Sequence, residues 1–290
     1  MAKTGPQRYP GASTAYWFQD TYSGDAMESN VIVWHSTEGR TLPSYDGGAL
    51  APNFTAVPDF AARRMVWYQH FDFDTSSRAL RNLAGGVQTN TLNVTQVEIV
   101  GTCDPTTHTK WGSTPHLYTP ELPTWAIRDL AAFARWAHDQ HGVPLSSGLE
   151  FRAYPSSYGN SSVRMTSSQW NAFSGHCGHQ HVPENDHGDP GAIDFNRLLA
   201  LAKGTTEEDD DVTPEDILKI ASASAAATAT KLIAGGGVLE NSDISRIAAA
   251  VAAKPVTLTD AQIQAIAASP VLAENIAARV DAKLAARLAN

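Results

Sequence analysis

Cysteine is scarce in this chain. Cys103 and Cys177 are the only two in 290 residues, which excludes a disulfide framework and leaves buried thiols, a single pair or metal ligation. Basic residues are outnumbered, 21 Lys and Arg against 30 Asp and Glu, for a net charge of −9. That balance excludes a nucleic-acid binder that relies on a basic patch. No stretch approaches the roughly 18–20 apolar residues of a membrane span, so no membrane insertion is expected. The opening segment, Met1 to Pro10, lacks the apolar centre of a secretory signal. The expectation is a protein made in the cytoplasm and held there until something else releases it.

What is present is concentrated in one window. His179 to Gly191 reads His-Gln-His-Val-Pro-Glu-Asn-Asp-His-Gly-Asp-Pro-Gly, three histidines and three acids on a segment closed by a turn signal. The apolar residues beyond it, Ile193, Phe195, Leu198 and Leu199, predict a short helix packed on a core. Imidazole nitrogens and carboxylate oxygens are ordinary zinc ligands, so the window reads either as a metal site or as a polar surface loop.

Three earlier stretches read as strands. Val31 to His35 is a β-branched apolar run with His35 at its end, placed either to face a cleft or to sit satisfied in a core. Arg64 to Phe73 alternates, with His70 on the face of Val66 and Tyr68, where it would contact substrate or support a ligand rather than bind metal. Val94 to Val100 is apolar on both faces, as in a central strand. Glu98 within it must be solvated in a cleft, paired or hydrogen-bonded, because a bare buried carboxylate is costly. Residues 40–62, rich in Pro, Gly, Ser and Asn, read as one long loop.

Ile127, Leu130, Ala131, Ala134 and Ala137 recur at helical spacing, after Pro120 and Pro123 and before Gly142. Strands interleaved with helices predict an α/β or α+β domain over residues 1–203. Residues 204–214 hold an acidic run that repels itself and reads as a linker. Beyond it aromatics vanish and alanine dominates. Apolar stripes such as Leu272, Ile276, Val280 and Leu284 predict a small all-α module over 215–290. Such stripes need a partner, either each other or another copy in a homo-oligomer.

Scattered ligands that meet only in the fold leave several candidate trios among His35, Glu98 and the late window. Three motifs in order narrow the choice: Trp34-His35-Ser36-Thr37-Glu38, Gln96-Val97-Glu98-Ile99-Val100, and Gly178-His179-Gln-His-Val-Pro running to His187-Gly-Asp189-Pro-Gly191. Together they resemble the type-2 N-acetylmuramoyl-L-alanine amidase family, which shares its fold with peptidoglycan-recognition proteins, and within it the phage endolysins that lyse actinobacteria. The resemblance spans about residues 30–200 and leaves out the helical module. It implies an α/β fold with a central mixed sheet flanked by helices, and a zinc ion held by His35, His179 and Asp189, with His181 in reserve for His179 or supporting a ligand. It implies Glu98 as acid/base and peptidoglycan as partner. Two departures accompany it. His187 stands where the family carries a lysine near the oxyanion, and the catalytic tyrosine of some members falls on Gln69. A binder of the same fold without catalysis, a cytoplasmic wall-recycling amidase and a phage structural protein with a vestigial domain are the alternatives.

Overall fold

The computed structural model describes residues 4–204. The remainder of the acidic linker and the alanine-rich module, residues 205–290, lie outside the described residues. Five strands form one mixed sheet in the order β3-β2-β4-β1-β5: β1 Val31–Ser36, β2 Phe54–Asp59, β3 Arg64–Gln69, β4 Val94–Ile99 and β5 Gly175–Gly178. β1 runs parallel to both β4 and β5, β2 parallel to β4, and β3 antiparallel to β2. The helices are α1 Pro105–Trp111, α2 Thr124–His141, α3 Ser167–Ala172 and α4 Phe195–Ala202.

Alternation along the central strands divides the core. Ile32 and Trp34 of β1, Phe54 and Ala56 of β2, and Val97 and Ile99 of β4 join Ile127, Leu130 and Phe133 of α2 and Leu198 of α4 in the larger cluster. Each of the larger aliphatic and phenyl side chains among these removes apolar area from water worth about 1.5–3 kcal/mol. The opposite parity, Val31, Val33, Val94 and Cys177, packs against Met165 and Trp170. β4 therefore has apolar residues on both faces, as a strand between two neighbours requires. His35 and Glu98 share the parity of the second face and lie side by side in the β1–β4 register. They sit near the carboxyl ends of parallel strands, where open α/β sheets form their crevices.

Two elements depart from the sequence reading. Residues 40–62 are not one loop, because Phe54–Asp59 is β2, which pairs with β3 along its length and with β4 over Phe54, Thr55 and Ala56, short of Pro58. The run from Arg64 is strand only to Gln69, so His70 lies past its end. No described helix is long and apolar enough to cross a membrane.

Candidate metal centre

The end of β1 delivers His35, and the 3₁₀ turn that begins where β5 ends delivers His179. Gly178 is needed at that junction, since a Cβ there would stand 2.6 Å from Pro190 Cδ. Its bareness lets the Asp189–Pro190 segment close over the turn. The closure is bonded: Gln180 N donates to Asp189 O at 3.0 Å, Gln180 Nε2 to Gly191 O at 2.8 Å, and Thr119 Oγ1 to Pro190 O at 2.6 Å. Arg164 holds the same loop from outside, donating to the carbonyls of His179, Val182 and His187.

These constraints bring three buried donors to one point. His35 Nδ1 and His179 Nδ1 are 3.1 Å apart. Asp189 Oδ1 lies 3.2 Å from His179 Nδ1, and Oδ2 lies 3.5 Å from His35 Nδ1. Donors of a tetrahedral zinc bound at about 2.0–2.1 Å stand about 3.3 Å from one another. The trio is thus spaced as a ligand set, and it is the described group of His, Cys, Asp and Glu able to hold a metal ion.

The tautomers agree with that reading. Asn185 Nδ2 donates to the carbonyls of Arg81 and Pro183, so its Oδ1 faces His179 Nε2 at 3.0 Å as an acceptor. His179 Nε2 must then carry the proton, and neutral His179 presents a bare lone pair at Nδ1. Ser36 N donates to Asp189 Oδ2 at 3.1 Å and fixes the carboxylate. In the metal-free protein one proton on His35 Nδ1 satisfies the facing nitrogens. Without it, two lone pairs and a carboxylate face one point, which is what a cation requires.

Electrostatics point the same way. Burial, and next the neighbouring His179, lower His35 to about 4, so it is neutral at pH 7. Burial alone would raise Asp189, but the neighbouring His179 and next His35 hold it well below the usual carboxylate range. Glu98 is pushed well above that range by burial and then by Asp189 and Glu38. Its Oε2 is sealed from water and has no partner. Glu38 is the opposite case, its carboxylate accepting from Ser36 Oγ, Cys103 N and Thr102 Oγ1. The Asp189 carboxylate beside the neutral His35 places negative charge at a point that a divalent ion would offset.

The trio opens on a cleft of about 690 Å³ whose lining includes Glu38, Tyr45, Glu98, Asn185 and His187. The His187 ring stacks on His179 at 4.8 Å, and its side chain is largely exposed. The residues expected as ligands and as catalytic groups therefore share one cavity.

Three expectations are corrected. His181 is no reserve ligand and touches none of the ligands: its Nδ1 accepts from Gly178 N and its Nε2 donates to Glu150 O, so both nitrogens are spent on backbone. His70 neither contacts the cleft nor supports a ligand. Its Nδ1 donates to Tyr16 O and its Nε2 accepts from Thr55 Oγ1, which in turn accepts from Tyr45. Gln69 is buried among Tyr9 N, Gln7 O and Phe71 O, away from the cleft, and the tyrosines that line the cleft are Tyr45 and Tyr158. The thiols of Cys103 and Cys177 are free and buried. Sequence reasoning missed Asn185, Arg164 and the Ser36 amide. Only Asn185, inside the His-rich window, carried any signal.

No protein-family model matches the chain, and no curated protein matches it either.

Proposed function

We propose that the chain is a zinc-dependent N-acetylmuramoyl-L-alanine amidase, a phage endolysin that cuts the amide between N-acetylmuramic acid and L-alanine in peptidoglycan. The observation that carries the hydrolytic reading is the convergence of His35, His179 and Asp189 on one point beside a cleft that also holds Glu98. The substrate comes from the three ordered motifs and their resemblance to type-2 amidases, whose fold the mixed sheet is compatible with.

His35, His179 and Asp189 would hold the zinc, three protein ligands being the pattern of catalytic rather than structural sites. Bound there, zinc supplies Lewis acidity to the scissile carbonyl and lowers the pKa of a water toward neutrality. Glu98 takes the proton from the attacking water and passes it to the alanine nitrogen as the amide breaks. Its elevated pKa suits it to keep that proton until the amine leaves. His187, exposed in the cleft and stacked on His179, donates a hydrogen bond to the oxyanion. Asn185 and the Ser36 amide keep His179 and Asp189 in orientation throughout. The alanine-rich module is assigned to wall binding or to self-association, from its position in the chain and its apolar stripes.

The test uses purified cell walls. New L-alanine amino termini should appear with the zinc-loaded chain, stop with a chelator and return when zinc is restored. A chain that binds walls equally with and without chelator and frees no amino termini would be a peptidoglycan binder instead.

A further inference from the structure

The cleft has features that the chemistry above leaves unused. Tyr158 lines it yet is 53% exposed. Its ring lies 6.5 Å from that of His187 and 6.2 Å from that of Tyr154. The backbone under these rings is firmly held. Ser157 is buried and its Oγ donates to Gly188 O at 2.7 Å, while Gly159 N donates to Asp186 O at 2.6 Å. Arg164 Nε donates to Gly159 O at 3.0 Å. A Cβ on Gly188 would come within 2.5 Å of Ser157 Oγ, so the tyrosine loop and the ligand loop are fitted to each other. A loop fixed this tightly needs nothing from Tyr158, whose ring adds little to the core.

An aromatic face held open beside a reaction centre suits a ligand with a flat C–H face and a polar rim, which is the shape of a pyranose ring. A second segment of the cleft lining differs in character. It carries Arg78 and Arg81, the two arginines among the lining residues. Arg81 pairs with Asp186 at 3.7 Å, both side chains being mostly exposed. Such a surface pair is weak and exchangeable for another carboxylate.

Resting on the sugar-peptide substrate proposed above, we infer that the cleft orients it, with the sugar over Tyr158 and Tyr154 and the anionic peptide along Arg78 and Arg81. The scissile amide, at the junction of sugar and peptide, then falls beside His187 and the ligand trio. Tyr158 is a specificity residue for saccharide, and the arginine segment recognises the carboxylates of the stem.

The experiment separates the two halves of the substrate. The full chain is titrated with a tetrasaccharide of N-acetylglucosamine, and separately with the free tripeptide L-Ala-γ-D-Glu-L-Lys, while tyrosine ring resonances are followed by NMR. The tetrasaccharide should shift the rings of Tyr154 and Tyr158 and the tripeptide should not. Tyr158→Ala should weaken the saccharide by roughly tenfold or more, the scale of a lost aromatic stack, with metal content unchanged. Tyr158→Phe, which keeps the face, should stay close to the parent, and Arg81→Ala should leave saccharide binding unaltered. Absence of saccharide binding, shifts confined to other rings, or tripeptide shifts at Tyr158 would each overturn the orientation. Saccharide binding at these tyrosines without amide release from walls would sustain it while removing the hydrolytic reading. Amide release with no tyrosine shift would do the reverse.

Discussion

Two sets of buried histidines lie within this one domain, and they meet opposite fates. His70 and His181 have both ring nitrogens occupied by backbone or hydroxyl partners. His35 and His179 aim Nδ1 at each other, 3.1 Å apart, with a carboxylate alongside. The first arrangement is complete without any ligand. The second is complete only with a proton or a cation. Burial is common to both sets, so burial does not distinguish a metal ligand from a structural histidine. Where the lone pairs point does, and that is set by second partners such as Asn185.

The largest effect should come from breaking the second set. His179→Ala should abolish stoichiometric zinc and with it amide hydrolysis, read by elemental analysis. His181→Ala should keep one zinc per chain, and zinc loss there would erase the contrast. Glu98→Gln should retain zinc and fold but lose about 10²–10⁴ in turnover, the usual range for a general acid/base. A variant as fast as the parent would remove Glu98 from the chemistry.

Asn185→Ala sharpens the comparison without touching a ligand. It frees the His179 ring to choose its tautomer, and zinc affinity should fall by about 10–100-fold in competition with a chelating dye. The first set yields a pH prediction instead. Burial, partly offset by the Tyr16 carbonyl, lowers His70 from 6.5 to about 4 in the folded state. Between those values the unfolded chain takes up a proton that the folded chain refuses. His70 therefore costs no stability above about pH 6.5, and its penalty grows as pH falls toward 4, to about 3 kcal/mol at most. His70→Gln should flatten that acid slope in denaturant titrations, and an unchanged slope would mean that His70 is protonated in the fold.

The sequence carried the framework because some elements announce themselves locally. The β-branched runs of β1 and β4 and the helical spacing of α2 need no tertiary information to read. β2 was hidden by Pro58 and by the Pro, Gly and Asn around it, since a proline is tolerated where the ladder does not need its N–H. β5 is Gly-His-Cys-Gly, four residues without an aliphatic side chain, made a strand by pairing with β1. The three candidate ligands were legible only through ordered motifs. His179 and His181 are two residues apart in one turn, and the choice between them depends on which nitrogen meets the Gly178 amide. Arg164 and the Ser36 amide act through backbone geometry, which leaves no pattern in residue type. Tyr45 reaches the cleft from a loop with positive φ, beyond what spacing reveals.

The central claim is a single divalent ion held by two imidazoles and one carboxylate. The most direct test is zinc K-edge absorption fine structure on the zinc-loaded full-length chain. The account predicts one zinc per chain, a first shell of nitrogen and oxygen with two imidazole rings, and no sulfur. A shell containing sulfur from Cys103 or Cys177, or one with a single imidazole, would contradict it.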